Sequence, residues 1–278
     1  MNSLSPITGK FEPIHDAHAI EQVQIAINFL SPLDSTSMEN VRSEISAFES
    51  ELPGYSEIQR LAIGVTQTPG FINGPITSTG FVRFRTAANG VVLDELIIAP
   101  ESITFRTTSY TRWVDIWTKF SRYLKAILEI YASKLVIAQV SLSFVDKFVW
   151  IGEVAACKPK LLLRPDSRYI CPHIYAQDDL WHSHTGVFLR VDAYTKRLLN
   201  INVDYLDDLT TGQARRIVGI STVLTDMLNQ PNYQAFNLTS GEAFDNLSTR
   251  MTALHNMSKT SFAHVISDEM CERIALVK

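Results

Sequence analysis

The sequence predicts an α+β fold in which antiparallel sheet packs against three amphipathic helices. Two observations predict it. Short segments in which apolar and polar residues alternate, as in half-buried strands, recur along most of the 278 residues. Three longer segments carry apolar residues at spacings of three and four, the pattern of a helix that buries one face.

The first half of the chain has one strand, one helix and then a run of strands. Residues 22–29 alternate strictly, and Thr36 with Glu39 forms a capping-box pattern that predicts a helix start. Pro53 and Gly54 end that helix. Four strands are predicted at residues 60–65, 80–85, 91–98 and 102–106. Asn89-Gly90 predicts a tight hairpin between the second and third of these, and residues 67–79 read as a long loop.

The second half also has the order strand, strands, helix. It follows a helix with a continuous aromatic and aliphatic stripe over residues 113–131. A long strand at 136–150 keeps one apolar parity, which only Asp146 interrupts. An irregular region is expected at 153–183, followed by strands at 186–192, 198–205 and 215–225. Thr239 with Glu242 predicts the start of the third helix, and Ser267 a short terminal turn or helix.

These elements predict a lead-in at residues 1–18, a first β-α-β4-α half at 19–134 and a second half at 135–278. The two halves are expected to form one compact domain. Their similar order suggests that they are pseudo-repeated, each with a sheet that grips a helix. No repeat is visible in the sequence itself, so this part of the prediction is a hypothesis that structural superposition tests.

Composition excludes several classes of protein. The formal net charge is −4, which gives no global attraction to nucleic acid or to an anionic membrane. No stretch approaches the roughly 20 apolar residues that a membrane span needs, and the N-terminus has no signal-peptide pattern. Three cysteines, few and odd in number, favour a reduced compartment. We therefore expect a cytoplasmic protein.

Several segments together resemble a sporadically distributed bacterial family of uncharacterised proteins of similar length. The segments that carry the resemblance are 20–23, 103–105 leading through Tyr110 into Trp113, 140–148, 198–203, Leu254-His255, Phe262 and 266–269. The chain departs from the family pattern at Ser143-Phe144, where the family has Arg-Tyr, and at Asn200 and Asn202, where it has acidic residues. The resemblance implies no activity or catalytic residue. The scattered distribution of the family implies an accessory role, such as defence or toxin–antitoxin cargo.

The first candidate site is a set of metal-ligand residue types between residues 171 and 184. Cys171, His173, His182 and His184 carry thiol and imidazole groups that suit zinc, and the last two share a strand face. Their spacing matches no standard zinc module. The alternative is a polar loop that enters a strand with its histidines in solvent. A divalent metal is thus a possible ligand, and no other cofactor is predicted.

The second candidate site is a row of polar residues on one strand. Asn200, Asn202 and Asp204 share a face that offers oxygen ligands to a cation or lines a cleft. The alternative is the ordinary solvent face of an antiparallel strand, which is expected to be polar.

The third candidate site is a group of arginines on neighbouring strands. Arg83, Arg85 and Arg106 can meet a phosphate or carboxylate, and Phe81 beside them adds a surface on which a nucleic-acid base can stack. The alternative is cross-strand pairing with carboxylates such as Asp94.

Three functions follow from these residues. The leading hypothesis is a non-enzymatic binding or regulatory protein that acts through a protein partner or as a homo-oligomer. The motivation is that the sequence has no nucleophile elbow, phosphate-binding loop, dinucleotide fingerprint or HExxH motif. The alternatives are a metal-dependent hydrolase or nuclease that uses the histidines, and a nucleic-acid-binding protein that uses the arginines.

Overall fold

The computed structural model describes residues 9–61, 76–177, 179–209, 215–228 and 241–276. These residues form ten strands and four α-helices. The strands are β1 (Gly9–Pro13), β2 (Ile20–Phe29), β3 (Gly54–Leu61), β4 (Ile76–Thr86), β5 (Val92–Ala99), β6 (Ser102–Thr107), β7 (Ile137–Gly152), β8 (Trp181–Arg190), β9 (Thr195–Asp208) and β10 (Arg215–Leu228). The helices are α1 (Ser35–Ser46), α2 (Trp113–Ala132), α3 (Gly241–Ala263) and α4 (Asp268–Arg273).

The strands form one large hydrogen-bonded sheet, and the α+β prediction is confirmed. Their order is β3-β4-β5-β6-β2-β7-β10-β9-β8, with β1 also paired to β7. Neighbours in the chain pair antiparallel from β3 through β6, and again between β8 and β9. Asn89-Gly90 forms the predicted hairpin turn between β4 and β5, where Gly90 has a φ of 82°.

The described residues divide into two compact units. We call the first the hairpin unit, after the β8–β9 hairpin; it contains the residues up to Val23, Ser141–Met227 and the residues from Thr249 onward. We call the second the two-helix unit; it contains Gln24–Val140 and Leu228–Ser248. Each unit therefore combines segments from the first and the second half of the sequence. The pseudo-repeat of the halves 19–134 and 135–278 stays a hypothesis.

Helix α2 supplies the core of the two-helix unit. Phe120 stacks on Phe105 of β6 with ring centroids 5.7 Å apart, and both side chains are fully buried. The hydroxyl of Tyr131 donates to the carbonyl of Ala99 at 2.7 Å, which satisfies the polar end of another buried ring. The aromatic stripe read from the sequence is thus a core face.

The C-terminal part of α3 supplies the core of the hairpin unit. Phe262 stacks on Phe148 of β7 with centroids 6.4 Å apart, and His255 lies 6.1 Å from the ring of Phe144. Helix α4 follows, with Ser267 as its N-cap accepting from the backbone N–H of Met270. The predicted terminal helix is confirmed. None of the described helices is long and apolar enough to cross a membrane.

Several predicted boundaries are wrong. Strand β1 lies inside the expected lead-in 1–18, where it pairs with the far end of β7. Residues 76–79 belong to β4 rather than to a loop, and residues 181–183 belong to β8 rather than to the irregular region. Strand β3 begins at Gly54, directly after the predicted helix stop, and not at residue 60.

The start of α1 also differs from the prediction. Its N-cap is Asp34, whose carboxylate accepts from the N–H of Ser37 at 2.8 Å, and not Thr36. The helix ends at Ser46 and gives way to turns. Thr239 of the other capping-box pattern lies outside the described residues.

Candidate functional site

Strand β8 is the last strand of the sheet in the hairpin unit. It pairs antiparallel with β9 over its whole length, from Trp181 opposite Tyr205 to Arg190 opposite Lys196. Among the described residues, no strand pairs with its other edge. One row of its backbone N–H and C=O groups is therefore left without a strand partner.

The hydrogen bond at the hairpin turn shows which residues carry that row. The N–H of Val191 donates to the carbonyl of Thr195 at 3.0 Å, and these two residues continue the β8–β9 register. Hydrogen-bonded and non-hydrogen-bonded pairs alternate along an antiparallel ladder. Odd-numbered residues of β8 therefore bond to β9, and even-numbered residues such as Phe188 direct their backbone groups outward.

The three central side chains of this edge are apolar and exposed. We define the open edge as residues 186–190, all of which are exposed. Phe188 is 65% exposed, and Val187 and Leu189 are 37% and 36% exposed on the opposite face. Strand β8 contains no proline, Lys, Asp or Glu, and its one arginine is its last residue. It thus lacks the features with which proteins usually protect an edge strand from pairing.

The predicted histidine and asparagine sites meet on one face of this hairpin. The Nδ1 atom of His182 lies 2.6 Å from Oδ1 of Asp204, and Nδ1 of His184 bonds to Oδ1 of Asn202. Both histidines are exposed. In each ring the Nδ1 atom is occupied by an oxygen partner on β9, so that Nε2 is the atom directed to a ligand.

Asn200 lies on the same face beside Gly186. A Cβ built on Gly186 would lie 2.8 Å from Oδ1 of Asn200 and 3.6 Å from Nε2 of His184. The Asn200 side chain thus occupies the position that a Cβ at residue 186 would take, and it would have to rotate away if residue 186 carried one. The space over Gly186 is bordered by a hydrogen-bond acceptor and an imidazole nitrogen.

The remaining predicted metal ligands lie elsewhere. Cys171 directly precedes a short 3-10 helix, Pro172–Ala176, and His173 lies within it. Both residues are exposed. No three His, Cys, Asp or Glu residues within the described ranges lie together in a metal-holding group. The four-residue metal site stays a prediction, and the part of it that the structure supports is the pair His182 and His184.

Of the three arginines, Arg85 takes part in a compact charge cluster. Its Nε atom donates to Oδ2 of Asp94 at 2.7 Å, and Nζ of Lys119 donates to the same oxygen at 2.7 Å. Burial would raise the pKa of Asp94, but hydrogen bonds from Lys119, Thr107 and Arg85 outweigh it and lower the pKa. The arginine is thus engaged with the carboxylate named as its alternative partner.

Arg106 and Arg83 also have carboxylate neighbours. The Nε atom of Arg106 lies 3.0 Å from Glu95, and Nη1 of Arg83 lies 3.8 Å from Glu49. Arg83 is buried, with its guanidinium 5.4 Å from the centre of the Tyr55 ring. Nothing in this geometry favours a nucleic-acid site, which stays a prediction.

Two buried charged features of the hairpin unit were not among the predicted sites, although the sequence already shows Asp146 as the interruption of an apolar strand face. Arg197 and Arg250 both donate to Asp226, which is fully buried; Arg197 does so through Nε at 2.6 Å and Nη2 at 2.9 Å. Asp146 is buried on β7 and its pKa is raised to about 8 by burial. The available signal was the same in both cases, a charged residue at an inward position of a strand.

A scan against models of known protein families gave no match. A search against curated proteins found no significant similarity. Neither comparison tests the resemblance to the sporadic bacterial family, so the function is argued from the geometry of the hairpin unit.

Proposed function

We propose that the protein is a non-enzymatic binding protein that holds an extended segment of a protein partner along the open edge of β8. The observation that carries this proposal is the combination of outward backbone groups with exposed Val187, Phe188 and Leu189. An added strand satisfies the backbone groups, and its alternate side chains cover the apolar residues on both faces. The accessory cellular role that the family resemblance implies and the cytoplasmic location expected from the sequence belong to the same proposal.

The test compares the wild type with an edge variant and a matched control. Phe188→Pro removes one outward N–H and places a ring at the edge, but costs no bond to β9 because that N–H does not face β9. Val154→Lys changes a residue that is 44% exposed in the same unit and lies outside the β8–β9 hairpin in the sequence. Each tagged protein is purified from its own host at native expression, and its complexes are identified by mass spectrometry.

A partner that binds β8 is expected with the wild type and with Val154→Lys, and is expected to be lost with Phe188→Pro. Hydrogen exchange on the isolated complex should then show slower exchange at the amides of Gly186, Phe188 and Arg190. The proposal fails if the partner is retained by Phe188→Pro, or if exchange at these amides is unchanged. Catalytic turnover of a substrate, if a single side-chain substitution abolished it, would also overturn the proposal.

A second candidate function is metal-dependent hydrolysis at His182 and His184. The observation that favours it is that oxygens of Asp204 and Asn202 bond to the two Nδ1 atoms, as oxygen acceptors commonly do for histidines that bind a metal through Nε2. Two imidazoles fall short of the roughly four ligands that zinc takes, so water or substrate would complete the site. In this reaction a bound metal activates water.

Titration calorimetry with zinc tests this candidate. Wild type is expected to bind about one equivalent, and His182→Ala and His184→Ala to lose that binding. His264→Ala is the control, because His264 is exposed in the turn that follows α3 and is not part of β8 or β9. Equal zinc binding by all four proteins would exclude the histidine pair as the site.

A further inference from the structure

The open edge of β8 has a sequence that complements itself in an antiparallel pair. We propose that its occupant is the open edge of a second copy of this chain, paired about a twofold axis at Phe188. This inference rests on the proposed function and names the partner. It follows from the outward backbone groups of the even-numbered residues, the position of the charged Arg190 and the space over Gly186.

The backbone pattern limits the possible registers. Outward N–H and C=O groups belong to even-numbered residues of β8, so a partner copy must place its own even-numbered residues opposite them. Centred on Phe188, the pair sets Phe188 opposite itself and Gly186 opposite Arg190 of the second copy. These three facing pairs provide about six backbone hydrogen bonds across the twofold.

The charge of Arg190 and the exposed ring of Phe188 select this register from the others that the backbone allows. Registers centred on positions 186 or 187 place Phe188 opposite His184 or Gly186 and so separate the two phenyl rings. A register centred on Arg190 places two guanidinium groups opposite each other. Like charges directly opposite are unfavourable. A register centred on Leu189 places Arg190 opposite Phe188 and separates the two phenyl rings.

Centred on Phe188, every side chain at the edge meets a suitable neighbour. The two Phe188 rings, each 65% exposed in the single chain, lie opposite each other on one face. On the other face, Val187 lies opposite Leu189 of the second copy. Arg190 of one copy extends over Gly186 of the other copy, which has no side chain. There Oδ1 of Asn200 is placed to accept a hydrogen bond from the guanidinium.

The interface is small, because the open edge is five residues long. Stable complexes usually bury about 800 Å² on each partner, so we expect a dimer that forms and dissociates in the micromolar range. Light scattering of the full chain from low to high micromolar concentration measures this. The wild type is expected to shift from monomer to dimer over that range.

Two variants test whether that dimer uses the edge. Phe188→Lys sets two ammonium groups opposite each other and is expected to stay monomeric, while Val154→Lys is expected to dimerise as the wild type does. Phe188 is exposed, so the substitution leaves the core intact, which circular dichroism checks. A monomeric wild type at high micromolar concentration, or a dimeric Phe188→Lys, overturns the inference.

The register is tested by disulfide trapping in a Cys171→Ser background, since Cys171 is the exposed cysteine among the three. Facing residues of a hydrogen-bonded pair have Cα atoms about 5.5 Å apart, which suits a disulfide. Phe188→Cys is therefore expected to form a covalent dimer on mild oxidation. Leu189→Cys, which faces position 187 of the second copy, is expected to form far less.

Equal trapping at both positions would overturn the register. These outcomes are distinct from failure of the proposed function. A monomeric wild type that still captures a foreign protein through β8 rejects self-pairing and retains the binding function. A wild type whose β8 amides are protected neither by a second copy nor by a foreign protein rejects both.

Discussion

Two titratable side chains of the hairpin unit have pKa values displaced in opposite directions. Burial raises the pKa of the Asp146 carboxyl to about 8. Burial, assisted by repulsion from Lys259, lowers the pKa of His255 to about 4. In the folded protein at pH 6 both groups are therefore neutral.

The two shifts have opposite effects on stability. The folded state binds more protons than the unfolded state at Asp146 between pH 3.8 and about 8, so this group lowers the free energy of unfolding as the pH rises. The folded state binds fewer protons at His255 between about pH 4 and 6.5, so this group raises it as the pH rises. The contributions offset each other up to pH 6.5, and above it only Asp146 acts.

We predict that the free energy of unfolding from these two groups is nearly flat from about pH 4 to 6.5. It should then fall by about 2 kcal/mol toward pH 8, because one pKa unit is worth about 1.4 kcal/mol. Urea denaturation across this range measures it. Asp146→Asn should remove the fall above pH 6.5, and His255→Leu should extend the fall to acid pH. Asp166→Asn, at an exposed position, should leave the profile unchanged.

Asp226 is a further buried residue whose replacement should measurably lower the free energy of unfolding. It accepts from Arg197 and Arg250 in a buried site, so Asp226→Asn leaves two guanidinium groups without a carboxylate. We predict a loss of about 3–5 kcal/mol in the free energy of unfolding, measured by urea denaturation. Glu39→Gln is the control, because the Glu39 side chain is 70% exposed where it pairs with Arg42 at 3.5 Å, and its replacement should cost less than about 1 kcal/mol. Similar losses in both variants would contradict a buried charge effect.

At the scale of elements, Gly80 inside β4 and Gly90 in the turn between β4 and β5 have different physical roles. Both have positive φ, 154° and 82° respectively. A Cβ on Gly80 would lie 2.3 Å from the carbonyl oxygen of Ile98, whereas a Cβ on Gly90 meets nothing within 4 Å. Gly80 is thus needed for close approach of the neighbouring strand, and Gly90 only for the shape of the turn.

We predict that Gly90→Ala costs about 1 kcal/mol of backbone strain and that Gly80→Ala costs clearly more. The additional cost arises because β4 must move away from β5 to relieve the contact with Ile98. Thermal and urea unfolding of the two variants gives the comparison directly. Equal losses in the free energy of unfolding would contradict this, because they would mean that β4 and β5 can separate at Gly80 without an energetic cost.

The same elements show what local sequence can and cannot specify. Asn89-Gly90 was readable because a hairpin turn needs positive φ at a fixed place. The start of α1 was misread because Ser35, Thr36 and Asp34 all suit an N-cap, and only the fold selects Asp34. Strand β1 was missed because it is short and its partner, β7, lies more than a hundred residues away.

At the scale of the whole molecule, periodicity predicted the fold class but not the pairing order. The alternation of apolar and polar residues indicates which face of a strand is buried. It carries no information about which strand lies beside that strand in the sheet. The histidines and asparagines of the candidate site were therefore read as two separate groups, and only the register of β8 with β9 joined them. The open edge was unreadable for the same reason, because a strand is an edge only by its place in the sheet.

Self-pairing of β8 also predicts how the stability of the whole molecule depends on its concentration. A partner that binds only the folded state raises the unfolding temperature, and the effect grows with the concentration of that partner. The wild type supplies its own partner, so its unfolding midpoint should rise as protein concentration increases through the micromolar range. Phe188→Lys should unfold at one temperature at all concentrations, and Val154→Lys should follow the wild type. Calorimetric scans at several concentrations measure this, and a midpoint independent of concentration in all three proteins would contradict self-pairing.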